Sequence, residues 1–300
     1  MKYCIALDIG GTNIRGTWIL DNGSYGNIYL KKRPKDLQGT KNTIKSIIDK
    51  IKDELTRPIY KIGVASAGPL DYKKKKYLNP VNMPELKNFS IGKFIEDTYN
   101  VECILENDAQ AAALGEIIYG SLKGKKNGIT ITLGTGVGTG VIIDKKIWRA
   151  NHITGPELGH LYLGGNKICG CGQVGCAETL LNEKALIDLS KTHGINVNNT
   201  KELYLFANNN LKRIEPILEE YGRYLAIFIC QLQVIFCINN FCISGGISPI
   251  AKLALTYIQS LIEKRFLKQQ IWMPHEITFS ANPNLSGLLG IAALCFEDQK

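Results

Sequence analysis

Tyr3-Cys4-Ile5-Ala6-Leu7-Asp8-Ile9-Gly10-Gly11-Thr12-Asn13 carries the reading that decides the fold. Tyr3 to Asp8 is a short apolar run of strand length, and Gly10-Gly11 supplies a tight turn. Ile14 to Leu20 reads as the returning strand. The same grammar restarts later. Gly128 to Leu133 is a strand, Gly134 to Gly138 a glycine turn, and Thr139 to Ile143 a strand again. Such an echo predicts two related α/β halves with a ligand in the cleft between them.

Between the two echoes the pattern alternates. Ser24 to Leu30 reads as a third strand, and Thr43 to Leu55 has helical spacing at Ile44, Ile47, Ile48, Ile51 and Leu55. Lys61 to Ala65 is a strand, Ile91 to Tyr99 a helix, Val101 to Leu105 a strand, and Ala109 to Tyr119 an alanine-rich helix. The charged, glycine-containing break at Lys123 to Gly128 places the domain boundary there. Beyond it, residues 183 to 236 read as largely helical, Phe241 to Ser244 as a strand and Ile250 to Phe266 as a helix. Ile277 to Ser280 is a last strand and Ser286 to Phe296 a last helix. Strands alternating with helices imply a largely parallel, helix-covered sheet in each half.

At 300 residues the chain exceeds the usual size of one domain, and 45% hydrophobic with 21% charged residues is an ordinary globular balance. The formal charge of +9 permits an anionic partner. Its lysines are scattered apart from Lys73 to Lys76 and Lys123 to Lys126, with no arginine-rich arm. No nucleic-acid partner is expected, and ATP fits the excess equally well. The chain opens on a strand rather than a signal peptide. The most apolar stretch, Tyr224 to Ile238, is interrupted by Gln231 and Gln233 and is shorter than the roughly 20 residues that span a bilayer. It reads as a buried helix, and no membrane association is expected. Cys4, Cys230, Cys237, Cys242 and Cys295 lie in apolar runs as small hydrophobes. A protein of the reducing cytoplasm is expected.

Three glycine loops follow strands. In Asp8-Ile9-Gly10-Gly11-Thr12-Asn13 the glycines let backbone N–H groups approach an anion, Asp8 suits Mg²⁺ and Thr12 a phosphate. A plain hairpin turn with a capping Asp reads equally well. No Gly-Lys-Ser/Thr follows, so it is not a P-loop. Leu133-Gly134-Thr135-Gly136-Val137-Gly138-Thr139-Gly140 is spaced too tightly for a dinucleotide fingerprint. Ser244-Gly245-Gly246-Ile247-Ser248 lets a flat base pack on backbone, or is simply a strand-to-helix turn. Three such loops in two halves are harder to dismiss than one.

These loops resemble the two phosphate loops and the adenosine loop of the actin, hexokinase and Hsp70 ATPase fold. The particular resemblance is to the ROK group of bacterial sugar kinases and repressors. It is carried by Gly155-Pro156-Glu157-Leu158-Gly159-His160 and by Cys169-Gly170-Cys171-Gly172-Gln173-Val174-Gly175-Cys176-Ala177-Glu178. The resemblance implies a two-domain actin-like fold with ribonuclease H-like halves and an interdomain cleft. The expected domains are residues 1–122, with the helix of residues 285–300 packed back on them, and residues 123–284. It also implies ATP, Mg²⁺ and a homodimer or homotetramer. Asp8, Gly10, Gly11, Thr12, Asn13, Gly134, Thr135, Gly136, Gly138, Gly245 and Gly246 become the nucleotide residues.

The metal reading has its own physical ground. Cys-x-Cys-x₄-Cys, with His160 nine residues before the first cysteine, offers four soft or borderline donors. Gly170, Gly172 and Gly175 let the loop curl until those donors converge tetrahedrally, as for a closed structural zinc site. Glu157 and Glu178 are tethered to that loop, and fixed carboxylates accept hydrogen bonds from sugar hydroxyls. Without a metal they read as surface acids. The resemblance makes both sugar contacts, with His160 serving metal and sugar. Asp108, in Glu106-Asn107-Asp108, reads either as the cap of the following helix or as a carboxylate that takes a proton. In the family the matching Asp is the base and the preceding Asn, here Asn107, binds sugar. Gly68 in Gly68-Pro69-Leu70-Asp71 resembles the turn bordering the sugar pocket, and Asn82 fits the family pattern more loosely.

The resulting expectation is an ATP-dependent kinase in which Asp108 deprotonates the 6-hydroxyl of a hexose as it attacks the γ-phosphate. Glucose leads on family frequency, with N-acetylmannosamine or another N-acetylhexosamine second. A sugar-responsive repressor is the rival of another class. It would carry a helix-turn-helix ahead of the first phosphate loop, where only seven residues precede Asp8. A sugar-binding protein without catalysis is the remaining reading.

Overall fold

The computed structural model describes residues 2–149 and 155–297. In chain order the first elements are β1 (Tyr3–Ile9), β2 (Asn13–Leu20), β3 (Tyr29–Lys32), α1 (Leu37–Glu54) and β4 (Ile59–Ser66). The small hairpin of β5 (Leu70–Asp71) and β6 (Lys76–Tyr77) follows, then α2 (Ile91–Tyr99), β7 (Cys103–Asn107) and α3 (Asp108–Ile118). Next come β8 (Gly128–Leu133), β9 (Val137–Ile143), β10 (Lys146–Ile147), α4 (Glu178–Leu181), α5 (Glu183–Thr192), α6 (Thr200–Asn209) and α7 (Leu211–Phe236). The chain closes with β11 (Asn240–Ser244), α8 (Ser248–Leu253), α9 (Leu255–Arg265), β12 (Glu276–Phe279) and α10 (Ser286–Phe296).

Two five-stranded sheets have matching orders, β3-β2-β1-β4-β7 and β10-β9-β8-β11-β12. In the first, β1 runs antiparallel to β2 and parallel to β4, which is parallel to β7. In the second, β11 is parallel to both β8 and β12, and β10 is antiparallel to β9. The duplication implied by the repeated glycine turn is therefore a duplication of strand order. The chain divides into two compact units, Met1–Gly124 with Gly140–Pro156 and Asn284–Lys300, and Lys125–Thr139 with Glu157–Pro283. Residues 140–156, which carry β10, group with the first unit, and the division falls within β9.

Each face of the first sheet has its own core. Ile5, Leu7 and Ile9 alternate toward a cluster with Ile44, Ile47, Ile48 and Ile51 of α1 and Ile91 and Ile95 of α2. Cys4 and Ala6 alternate toward a second cluster with Ala111 of α3 and Leu288, Ile291, Ala292 and Cys295 of α10. The residues facing α10 are small because the helices come close: a Cβ added at Gly290 would lie 1.6 Å from the Ala111 carbonyl oxygen. In the second unit Ile129, Ile131, Leu133, Phe241 and Ile243 of the sheet are buried, as are Leu225, Phe228 and Ile229 of α7. No helix among the described residues is long and apolar enough to cross a membrane.

Several sequence expectations shift. The third strand lies at Tyr29–Lys32 rather than Ser24 to Leu30. The Asn22 side chain accepts from the Ser24 N–H at 2.9 Å and the Gly23 N–H bonds Leu20 at 2.9 Å. Past that turn the segments meet only at the single bridge of Ile19 and Tyr25, and the continuous ladder resumes where Tyr29 meets Gly16. α1 starts six residues before Thr43, at Leu37, because Asp36 caps it by accepting from the Gly39 N–H at 2.6 Å. The expected helix of Ile250 to Phe266 divides into α8 and α9 at Ala254, which packs against Gly222 of α7. Cys237 is exposed, not a core thiol, because it ends α7 in the left-handed conformation at φ 54°.

Candidate active site

In the first unit, register brings the C-terminal ends of three parallel strands into line. Ile9 of β1 pairs with Ser66 of β4, and Ser66 with Asn107 of β7. Open α/β sheets bind ligands at such ends. Fully buried Ser66 ties the row together, donating to the Ile9 carbonyl at 2.8 Å and lying 2.9 Å from the Tyr77 hydroxyl. The turn Gly10-Gly11-Thr12 follows, closed by the Gly10 N–H on the Asn13 carbonyl at 3.0 Å. Asn82 is exposed and its backbone passes Gly11, which leaves ordinary contact distance for a Cβ there.

Asp8 stands just before this turn, 3.2 Å from the Arg15 guanidinium, its pairing partner on β2. Burial pushes its pKa up to about 6; Arg15 pulls it down and Asp108 pushes it up again. About a quarter of the Asp8 side chain still meets solvent. Asp8 and Asp108 feel each other beside a glycine turn, with Arg15 paired to Asp8. That is the environment a divalent cation improves.

Asn107, not Asp108, caps α3. Its side-chain oxygen accepts from the Ala109 and Gln110 N–H groups at 3.0 and 3.2 Å. Asp108 is the first helical residue and accepts from Ala109 at 2.8 Å. Burial raises its pKa, while backbone N–H groups of Ala109 and of Asp108 itself hold it down. Behind them Glu106 is buried, ion-paired with Arg149, and accepts from the Asn107 N–H at 2.9 Å. The Arg149 guanidinium lies 4.6 Å from the Tyr72 ring centroid. Gly68 lies in the turn between β4 and β5.

In the second unit the turn between β8 and β9 holds Gly134, Thr135 and Gly136, with Gly138 in β9 and the Gly134 N–H on the Gly136 carbonyl at 3.0 Å. Gly245 and Gly246 follow β11. Gly245 has φ 91°, and a Cβ there would lie 2.2 Å from the Leu133 carbonyl, so the residue must be glycine. The ends of β8 and β11 are thus stitched together, further joined by the Ile247 N–H to Leu133 at 3.2 Å.

The loop from Leu161 to Ala177 folds back on itself through bridges Tyr162 to Cys176 and Ile168 to Val174. His160, Cys169, Cys171 and Cys176 bring one ligand atom each within 4.8 Å of one another. His160 Nδ1 lies 3.5 Å from Cys169 Sγ, and the Cys171 and Cys176 sulfurs are 3.7 Å apart. Zn–S bonds of about 2.3 Å set tetrahedrally require sulfurs roughly 3.8 Å apart, so the donor set is compatible with zinc. Glu157 is exposed and its carbonyl accepts from the His160 N–H at 3.1 Å. Glu178, two residues past Cys176, begins α4. One of its oxygens lies 3.5 Å from Cys169 Sγ, and the other accepts from the Val137 N–H at 3.1 Å.

Within the first unit the expected residues Asp8, Gly10, Gly11, Thr12, Asn13, Asn107 and Asp108 gather at the ends of β1 and β7. Within the second, Glu178 joins the cysteine loop to the glycine turn. Arg15, the pair of Glu106 with Arg149, and the grip of Glu178 on Val137 belong to no sequence motif. Arg15 alone left a signal, standing opposite Asp8 once the hairpin is drawn.

The ROK family's sequence model matches residues 4–298. The chain belongs to the ROK family. Among curated ROK relatives, a glucokinase of Streptomyces coelicolor is 27% identical, with 99% of this chain and 98% of that protein covered. An N-acetylmannosamine kinase of Vibrio cholerae is 29% identical over 86% of this chain and 87% of its own length. A xylose repressor of Bacillus spizizenii is 26% identical over 98% of this chain and 77% of its own length. Among solved structures, a ROK glucokinase from Streptomyces griseus in complex with glucose and AMPPNP superposes with a TM-score of 0.84 at 26% identity. That match covers 97% of this chain and 98% of the other. The actin-like ATPase fold of the ROK kinases is the fold of this chain.

Proposed function

We propose that this ROK protein is an ATP-dependent kinase of a hexose 6-hydroxyl, glucose first and an N-acetylhexosamine such as N-acetylmannosamine second. The observation that carries the reading is the pair of carboxylates, Asp8 and Asp108, at the ends of β1 and β7 beside the glycine turn. The S. griseus glucokinase bound to glucose and AMPPNP supports it.

In this reading Asp108 accepts the 6-hydroxyl proton as that oxygen attacks the γ-phosphorus of ATP. The bond from the γ-phosphorus to the β-γ bridging oxygen breaks and ADP leaves. The raised pKa of Asp108 makes it a better proton acceptor while its exposed part stays within reach of substrate. Asn107 spends its oxygen on the helix cap and keeps its amide donors for a sugar hydroxyl. Glu157, His160 and Glu178 orient the ring, with Gly68 and Asn82 bordering it. The Gly10 to Asn13 turn, through the Gly11 and Thr12 N–H groups, and the Gly134 to Gly138 turn are assigned to the phosphates, and Gly245-Gly246 to the adenosine. Asp8 would hold Mg²⁺, which neutralises phosphate charge when bound. His160, Cys169, Cys171 and Cys176 would hold a structural Zn²⁺ that fixes Glu157 and Glu178.

The test is ADP release with glucose, mannose, fructose, N-acetylmannosamine and N-acetylglucosamine. Asp108→Ala should lower kcat by about 10²-fold or more while hexose affinity changes little. Retained turnover would remove Asp108 as base. The xylose repressor relative gives the second reading, a sugar sensor. Sugar binding without ADP release on any of the five would favour it.

A further inference from the structure

Arg33 is a charged side chain with no solvent exposure, placed just after β3. Its contacts all lie in the first unit. Nε donates to the Gly10 carbonyl at 3.0 Å and one terminal nitrogen to the Gly11 carbonyl at 2.9 Å. The other terminal nitrogen donates to the Pro34 carbonyl at 3.1 Å and to the Glu85 carboxylate, its ion-pair partner. The Arg33 backbone N–H takes the Thr12 carbonyl at 2.7 Å, and Lys35 Nζ reaches Gly11 at 3.2 Å. Three successive carbonyls of the turn are therefore turned to one side, toward residues 33 to 35.

In a planar trans peptide the N–H points opposite to the C=O. Holding the Gly10 and Gly11 carbonyls on one side aims the Gly11 and Thr12 N–H groups to the other. Neither N–H has a hydrogen-bond partner among the described residues. Successive N–H groups aimed one way form an anion-binding concavity. Left alone, a two-glycine turn would sample many other peptide orientations. A carbonyl swung toward the anion would repel it.

We propose that Arg33 is a positioning residue for phosphate binding, whose guanidinium fork locks the Gly10-Gly11-Thr12 turn with its N–H groups presented to the nucleotide. The inference rests on the kinase reading of that turn. Glu85 completes the device by neutralising the buried cation and fixing its plane. Lysine cannot replace it, because one ammonium does not span two carbonyls and a carboxylate as the planar fork does.

The experiment compares wild type, Arg33→Lys and Glu85→Gln in steady-state kinetics and in calorimetric titration with AMPPNP and Mg²⁺. Arg33→Lys should raise the KM for ATP and the Kd of AMPPNP by about tenfold or more, the scale of one lost charge-assisted hydrogen bond. The KM for hexose should stay within about twofold, since a fault confined to the phosphate turn spares the sugar. Glu85→Gln should move the same constants in the same direction by a smaller factor. A residue that only staples β3 to the turn would lower the melting temperature and leave this split absent. A folded Arg33→Lys protein with wild-type ATP constants, or with both KM values raised equally, overturns the proposal. Where Arg33→Lys does not fold, unchanged ATP constants in Glu85→Gln overturn it. Wild-type protein that neither binds AMPPNP nor releases ADP overturns the kinase reading instead.

Discussion

Burial raises the pKa of Asp8 to about 6, against the pull of Arg15 and with the help of Asp108. The folded value lies above the ordinary 3.8, so the native state binds more protons than the unfolded chain between those two values. The stabilisation is complete below about 3.8 and is lost as pH rises through about 6. Asp8→Asn cannot ionise and should flatten that part of the slope, read as the melting-temperature difference between pH 5 and 7.5. An unchanged slope would count against the burial of this charge. Saturating Mg²⁺ and nucleotide should flatten the wild-type slope too, because cation binding favours the ionised carboxylate. The same residues show what a sequence conceals. Asp8 was legible as a candidate because it precedes a double glycine. Arg33 was not, since most of its partners are backbone carbonyls, which look alike in every sequence.

α3 and α10 pack closely enough that the backbones themselves meet, at Gly290 over Ala111 and at Gly115 over Ser286. Gly290→Ala should destabilise the protein by about 2 kcal/mol, since the added methyl forces the helices apart. Gly287→Ala, on the same helix, meets only ordinary contact and should be neutral or slightly stabilising by helix propensity. Denaturant titration of the two variants checks this, and equal losses would refute the close-approach account. Elements were legible where one strong periodicity ruled, as in Tyr3 to Leu20 and Gly128 to Leu133. They were displaced where local hydrogen bonds competed, as Asn22 does ahead of β3 and Asp36 ahead of α1. The break at Ala254 depends on α7 arriving from elsewhere in the chain, which no local pattern records.

At the scale of the molecule, the duplicated strand order was readable from two glycine turns, because the same backbone reversal needs the same residues in both halves. The grouping of residues 140–156 with the first unit was not, because β9 reads as one uninterrupted strand. The convergence of His160, Cys169, Cys171 and Cys176 was legible, since four donors in so short a stretch have few other uses. Among native-state ligands a structural metal contributes its binding free energy to folding. Chelation with EDTA or phenanthroline should therefore lower the melting temperature by several degrees and raise the KM for hexose; a fall in melting temperature alone would make the loop a remote staple. Glu178 adds a consequence. One carboxylate leans on Cys169 while also gripping the Val137 amide of the glycine turn. A shared anchor works in both directions, because the free energy by which one occupant favours the other is symmetric. Nucleotide should then slow the escape of zinc to a chromogenic chelator. A cell's supply of the metal and the charge of its adenylate pool would meet at a single side chain.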